Sequence, residues 1–279
     1  MKSVAATFVL LLGLTACAGP GGMSPSGGLM YQVPETPSVV YLTGDTSSID
    51  IDAGPMGTMT MRGTGAATMA VTFAPGETGV QVTATFQELN ARLSQPMGGA
   101  QTATEDDLVG DLVFTMDPQG HTTVVSVPET KGMAGELANP HNLVYEFFPL
   151  LPGGAVDPGE SWTDSLHYQI ETGMGEVESS STMTYTLHGD TVVDGVRLLH
   201  ITMAGTADVV GSGVTEGMEV TQIFSGDVTG TILWDPARSL YVSGVFDRDM
   251  DGTVEVPAAG MPPMPMKVTG TSRVTIQGG

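Results

Sequence analysis

Period-two alternation constrains this chain more than any other feature. "TMAVTF" at 68–73 sets Met69, Val71 and Phe73 against Thr68, Ala70 and Thr72. "VQVTATF" at 80–86 sets Val80, Val82, Ala84 and Phe86 against Gln81, Thr83 and Thr85. Successive side chains of a strand point to opposite faces, so such runs fit half-buried antiparallel strands and not a helix. Similar runs fill most of the chain after residue 38, separated by the turn signals "APGETG", "MDPQG", "HGDTVVDG" and "WDPARS". The expectation is an all-β fold with little helix. One short helix at most is expected in "GELANPHNLVYEFFPLL" (135–151), broken by Pro140 and Pro149.

The runs also repeat. "TMAVTF" is answered by "TMTYTL" at 182–187, and Gly79 before "VQV" by Gly195 before "VRL". "GDLVFTMDPQG" (110–120) is answered by "GTILWDPARS" (230–239), which places Asp117-Pro118 and Asp235-Pro236 in equivalent positions. Asp-Pro suits the first two positions of a type I turn, because proline presets φ and the carboxylate accepts from the following amides. Duplication predicts two tandem curved antiparallel sheets, half-barrel-like repeats, over 38–136 and 160–279. The Pro-rich connection 137–159 carries Phe147, Phe148, Leu150 and Leu151, with Trp162 just beyond it. Its bulky side chains are expected to plug the end of a sheet; a lid or a partner patch is the alternative use.

Nothing in the chain points to catalysis. "GESW" at 159–162 lacks the G-x-S-x-G elbow of a serine hydrolase, and the five histidines form no H-E-x-x-H. No cofactor is expected, and the role is read as non-enzymatic. The net charge of −22, from nine Lys and Arg against 31 Asp and Glu, argues against nucleic acid as a partner.

At the N-terminus, Met1 and Lys2 precede an apolar run from Val4 to Leu14. The run is shorter than the ~20 residues a membrane-spanning helix needs and suits the core of a signal peptide, residues 1–16. Leu14-Thr15-Ala16-Cys17 resembles the lipobox of bacterial lipoproteins. That resemblance implies lipidation of Cys17, anchorage to a membrane through the lipid, and location in the bacterial cell envelope. Ala18, where an inner-membrane lipoprotein would carry Asp, implies the outer membrane. Residues 17–37 read as the lipidated cysteine and a Gly/Pro/Ser tether, spanning roughly 25 Å. Cys17 is the single cysteine, so no intramolecular disulfide forms.

Methionine is abundant, at 18 residues. "MGTMTM" and "MPPMPM" share the spacing M-x-x-M-x-M, placing Met56, Met59 and Met61 in one cluster and Met261, Met264 and Met266 in the other. Thioethers select Cu(I), so copper binding is one reading. The other is an apolar lining built from Met59, Met61, Met69, Met264 and Met266, since methionine fills adaptable apolar surfaces.

"VFDRDMDGTVEV" (245–256) poses a similar choice. Asp247, Asp249, Asp251, Gly252 and Glu255 match part of an EF-hand calcium loop, but Ala258 stands where a bidentate Glu should complete it. The competing reading is a strand over 241–256 paired with 264–277. The expected pairs are Val256 with Met264, Val254 with Met266 and Phe246 with Val274 on the apolar side. On the polar side they are Asp247 with Arg273, Asp249 with Thr271, Asp251 with Thr269 and Thr253 with Lys267. Arg248 shares the apolar side and must snorkel from it.

A Met-containing, Thr-rich β protein behind a lipobox, with a connection such as "LPGGAVDPGESW", resembles β-rich bacterial lipoprotein families without an assigned activity. More loosely it resembles half-barrel lipoproteins that carry lipids or lipoproteins on a concave apolar face, a likeness of fold alone. The resemblance implies an apolar ligand or an envelope protein as partner.

Overall fold

Alternation is converted directly into strands. The computed structural model describes residues 28–96, 99–172, 175–215, 218–257 and 262–277. In chain order the elements are β1 (Ser38–Asp52), β2 (Thr58–Pro75), β3 (Val80–Gln95), β4 (Gly99–Thr104), β5 (Leu108–Val109), β6 (Leu112–Met116), β7 (Thr122–Ser126) and β8 (Glu129–Thr130). Two short helices follow, α1 (Ala134–Leu137) and α2 (Pro140–Glu146). Then come β9 (Ser161–Thr172), β10 (Gly175–Val193), β11 (Val196–Thr215), β12 (Met218–Asp235), β13 (Leu240–Glu255) and β14 (Met264–Ile276). The helical stretch is broken at Pro140 as expected, with α1 ending at Leu137 and a separate helix beginning at the proline. Pro140 opens α2, where its missing N–H is no loss, and Asn139 caps the turn by accepting from the Asn142 amide.

The two expected sheets are one. β7-β6-β3-β2-β1 and β14-β13-β12-β11-β10-β9 are each a meander, and β1 pairs with β14 to fuse them into a single curled antiparallel half-barrel. The first and last strands would otherwise each carry an open edge, and their pairing removes both. The proximal part of β3 pairs with β6 and its distal part with β4.

The turns behave as their residues dictate. Asp194 and Gly195 both take positive φ and close a two-residue hairpin between β10 and β11, the type I′ geometry that Asp-Gly favours. Asp117 Oδ1 accepts from the Gln119 and His121 amides, and Asp235 Oδ1 accepts from Ala237 and Arg238. Both Asp-Pro turns are therefore built alike. Inside the strands, a Cβ on Gly226 would stand 2.2 Å from the Asp249 carbonyl oxygen, and one on Gly252 would stand 2.2 Å from that of Ile223. Such close approach of neighbouring backbones marks where the sheet bends.

The core fills one end of the curl, called proximal here. Phe147, Phe148, Leu150 and Leu151 leave α2 and enter the concave face against Tyr41, Met69, Val71, Phe114, Trp234 and Tyr241. Phe148 makes ring contacts with Tyr31, Tyr41, Phe73, Phe114, Phe147 and Tyr241. The plug reading of the connection holds. α2 also touches β6, β7 and β9, so it bridges the two edges of the sheet. A smaller core of Leu89, Ala91, Ala103 and Ala134 seats α1 on β3 and β4.

Candidate functional site

Opposed residues of an antiparallel pair share a face, so register assigns every strand position to the inside or the outside of the curl. Outside, Thr60, Asp50, Lys267, Asp251, Ser225, Asp208, Ser180 and His167 form one row across β2, β1, β14, β13, β12, β11, β10 and β9. The next row is Arg62, Ser48, Thr269, Asp249, Asp227, Thr206, Thr182 and Ser165. A membrane-spanning barrel carries an apolar band outward. These outward rows are hydroxyls and charges, so lipid does not surround this sheet along them.

The inside is the reverse. Distal to the plug, Met59 opposes Ile51, which opposes Met266, and Met61 opposes Ile49, which opposes Val268 and then Met250. Met264 opposes Val254 at the rim. Met266, Met250 and Val254 are buried, whereas Met59, Met61, Met264, Ile49 and Ile51 are only half-buried. These side chains floor an apolar trough, while the main contacts of α2 are with β6, β7 and β9. The proximal end differs: the enclosed space among Met69, Val71, Phe114, Leu143 and Phe148 is about 10 Å³, no more than a single water would need.

The structure therefore divides the methionines expected to line a ligand surface. Met59, Met61, Met264 and Met266 share the trough, while Met69, of the same parity, is core beneath the plug. The two M-x-x-M-x-M clusters do converge, since Met59 and Met266 flank Ile51. Met261 and the side chain of Met56, which the copper reading needs, lie outside the described residues, as does Cys17.

The acidic stretch is strand. Asp251 opposes Lys267 and Gly252 opposes Met266, so the EF-hand loop is not formed. Asp247, Asp249, Asp251 and Glu255 lie along one outer face, the three aspartates about 7 Å apart by the strand repeat and Glu255 about 14 Å beyond Asp251, too extended to wrap one cation. Among the described residues no group of three or more His, Cys, Asp or Glu is placed to hold a metal.

The pairing with 264–277 holds, but the register differs from expectation by two residues. Val254 opposes Met264, Asp247 opposes Thr271 and Asp249 opposes Thr269. An even shift leaves every side chain on its expected face. It also sets Lys267 between Asp251, which it opposes, and Asp249, whose carboxylate lies 2.7 Å from its Nζ. Those charges raise the Lys267 pKa, with the Asp249 hydrogen bond the main cause. Thr271 donates to Asp247 at 2.6 Å.

Two polar features interrupt the inner face. Arg248 projects inward from β13 and donates to Ser272 Oγ at 2.7 Å. Tyr168 of β9 stacks on Tyr145 of α2, with ring centroids 4.5 Å apart, and its hydroxyl donates to Glu146. Burial, followed by the Glu146 charge, pushes the Tyr168 hydroxyl well above the usual phenol value. At the proximal rim His121 joins the two edges of the sheet. Its Nδ1 lies 3.1 Å from Asp117, and its Nε2 lies 3.3 Å from Asp164 on β9.

No family model and no curated protein matches this chain. Among solved structures it aligns with OccK9 (OpdG) of Pseudomonas aeruginosa over 88% of this chain and 100% of that one, at 8% identity and a TM-score of 0.22. It aligns with OmpF of Salmonella typhi, in complex with daunomycin, over 85% and 97% of the two chains, at 5% identity and a TM-score of 0.23. Likeness at that level is weaker than a shared fold gives.

Proposed function

We propose that this chain is an exported envelope lipoprotein, anchored by lipid on Cys17, whose half-barrel binds an apolar ligand in its distal trough without catalysis. The inversion of the two faces carries the reading. A hydroxyl- and carboxylate-rich exterior keeps the sheet in water, while Met59, Met61, Ile49 and Ile51 stay half-exposed inside a curl whose other end is filled. Flexible thioethers suit a surface that repacks around a guest. The tether that holds the sheet clear of the headgroups is shorter than the expected 17–37: the sequence from Ala18 to Gly27 supplies it, whereas Leu29 and Tyr31 are packed in the core and Tyr31 donates to the Pro149 carbonyl.

Native mass spectrometry of the protein purified from its host tests this. The expected result is a mass on the N-terminal cysteine matching acylation, together with a dissociable small molecule of lipid mass. An unmodified Cys17 removes the anchor. A ligand-free protein that also takes up no acyl compound in solution removes the binding role.

A further inference from the structure

Arg248 is the charge that an apolar trough does not explain. It opposes Gly270 of β14 and Val228 of β12, and its side chain is exposed within the curl. On the inner face of β1, β2 and β9 to β14 the other basic residue among those described is Arg197, at the proximal end of β11 and already paired with Asp190. Arg248 donates to a neutral partner, Ser272 Oγ at 2.7 Å, and no carboxylate of the described residues lies within ion-pair distance of it. The acids on the same face are Asp45, which opposes Ser272 from β1, Asp164, which His121 already holds, and Asp190, which Arg197 holds.

Tyr168 of β9 shares the inner face, in the register row of Gly252 and Met266, and its hydroxyl donates to Glu146 of α2. The row of Arg248 lies proximal to that one. Beyond it, the floor made by β2, β1, β14 and β13 consists of Met59, Met61, Ile49, Ile51, Val268, Met266, Met264, Met250, Gly252 and Val254. The strand repeat of ~3.4 Å makes that floor about 20 Å long from Arg248 to Val254. One fixed cation heading a long, narrow apolar floor matches a molecule with one anionic end and one extended hydrocarbon chain.

We propose that the trough is a site for single-chain anionic amphiphiles, with Arg248 and Ser272 holding the carboxylate or phosphate head and the methionine floor covering the acyl chain. This rests on the reading of the trough as a ligand site. The guanidinium offers a planar pair of donors matched to either oxyanion. The methionines on the floor yield to the chain. Asp45 competes with the head for the same guanidinium.

The test is titration of the unlipidated C17S chain with hexadecanoate, its methyl ester, a monoacyl phosphatidate and inorganic phosphate. The unaltered trough is expected to bind both anionic amphiphiles at least tenfold more tightly than the ester, and inorganic phosphate not at all at those concentrations. R248Q should abolish the preference while leaving ester binding unchanged, R248K should restore part of it, and D45N should strengthen it a few-fold. If acid and ester bind equally and neither R248Q nor D45N changes either, the headgroup site is wrong while the apolar trough stands. If no acyl compound binds, the trough reading fails and takes the headgroup site with it. If inorganic phosphate binds as tightly as the amphiphiles, the site is for a free anion and the acyl assignment is overturned.

Discussion

At one end of β1, Tyr41 is fully buried under Phe147 and Tyr241; at the other end of the same strand and face, Ile49 and Ile51 are half-exposed between methionines. Strand, face and alternation are common to both, and only the plug differs. A curled sheet of long strands has more concave surface than one short connection covers. The aromatic residues of 147–148 are spent at the proximal end, and among the described residues they leave the apolar face of the distal end half-exposed at Ile49, Ile51, Met59 and Met61. Stability and binding are thereby assigned to different lengths of the same strands.

The largest test of that division removes one side chain from each end. F148A takes a ring from a site with six aromatic neighbours and should cost about 3–5 kcal/mol. M61A, on the half-exposed floor, should cost about 1 kcal/mol. Urea denaturation measures both. Equal losses would mean that the distal floor is core like the rest, and the separation of roles would fail.

A smaller contrast compares the two Asp-Pro turns. Asp235 is buried, accepts from two backbone amides and pairs with Arg238 Nε at 2.6 Å. Asp117 also accepts from two turn amides, those of Gln119 and His121, but its side chain is 36% exposed, so water can replace them. D235A leaves buried donors unmet and should cost about 3 kcal/mol, and D117A about 1 kcal/mol. Denaturation midpoints that fall by similar amounts would show that the turns differ in sequence position alone.

Both turns were legible in the sequence, because Asp-Pro acts through bonds only a few residues long. Strand faces were legible for the same reason: a two-residue period is a local property, and it placed Met59, Met61, Met264 and Met266 on one side correctly. Register was not, since an even slip preserves every face, and only the opposition of Lys267 to Asp251 distinguishes the observed pairing. The fusion of β1 with β14 joins Tyr41 to Ile276, and nothing near either residue announces it. Depth was equally hidden. Met69 and Met61 have the same parity on one strand, yet the plug makes the first core and leaves the second in the trough. Arg248 stood out as a misfit on an apolar face, whereas the pair Tyr168 and Glu146 could not, since they meet only because α2 is carried to β9.

The smallest expected effect concerns how the proximal end is held shut. His121 lies between Asp117, in its own turn, and Asp164 on the opposite edge strand. Burial alone would lower its pKa, but the hydrogen bond and charge of Asp117, followed by the charge of Asp164, raise it above the usual imidazole value. For Asp117 burial works upward, and the His121 and Gln119 hydrogen bonds bring the net shift downward. A raised histidine pKa stabilises the fold fully below the unfolded value, near 6.5, and that contribution is lost as pH rises through the folded one. The lowered Asp117 pKa contributes above about 3.9 and is lost as pH falls through its folded value. The clasp is therefore strongest between about pH 4 and 6.5. With the His121 side chain 40% exposed, solvent screening should keep its effect below about 1 kcal/mol. Tm measured at pH 5.5 and 8.5 should fall more for the unaltered chain than for H121Q, and hydrogen exchange should quicken with pH at the proximal rim of β9 before its distal end. Parallel Tm profiles would show that His121 does not hold the edges together and that α2 alone closes the curl.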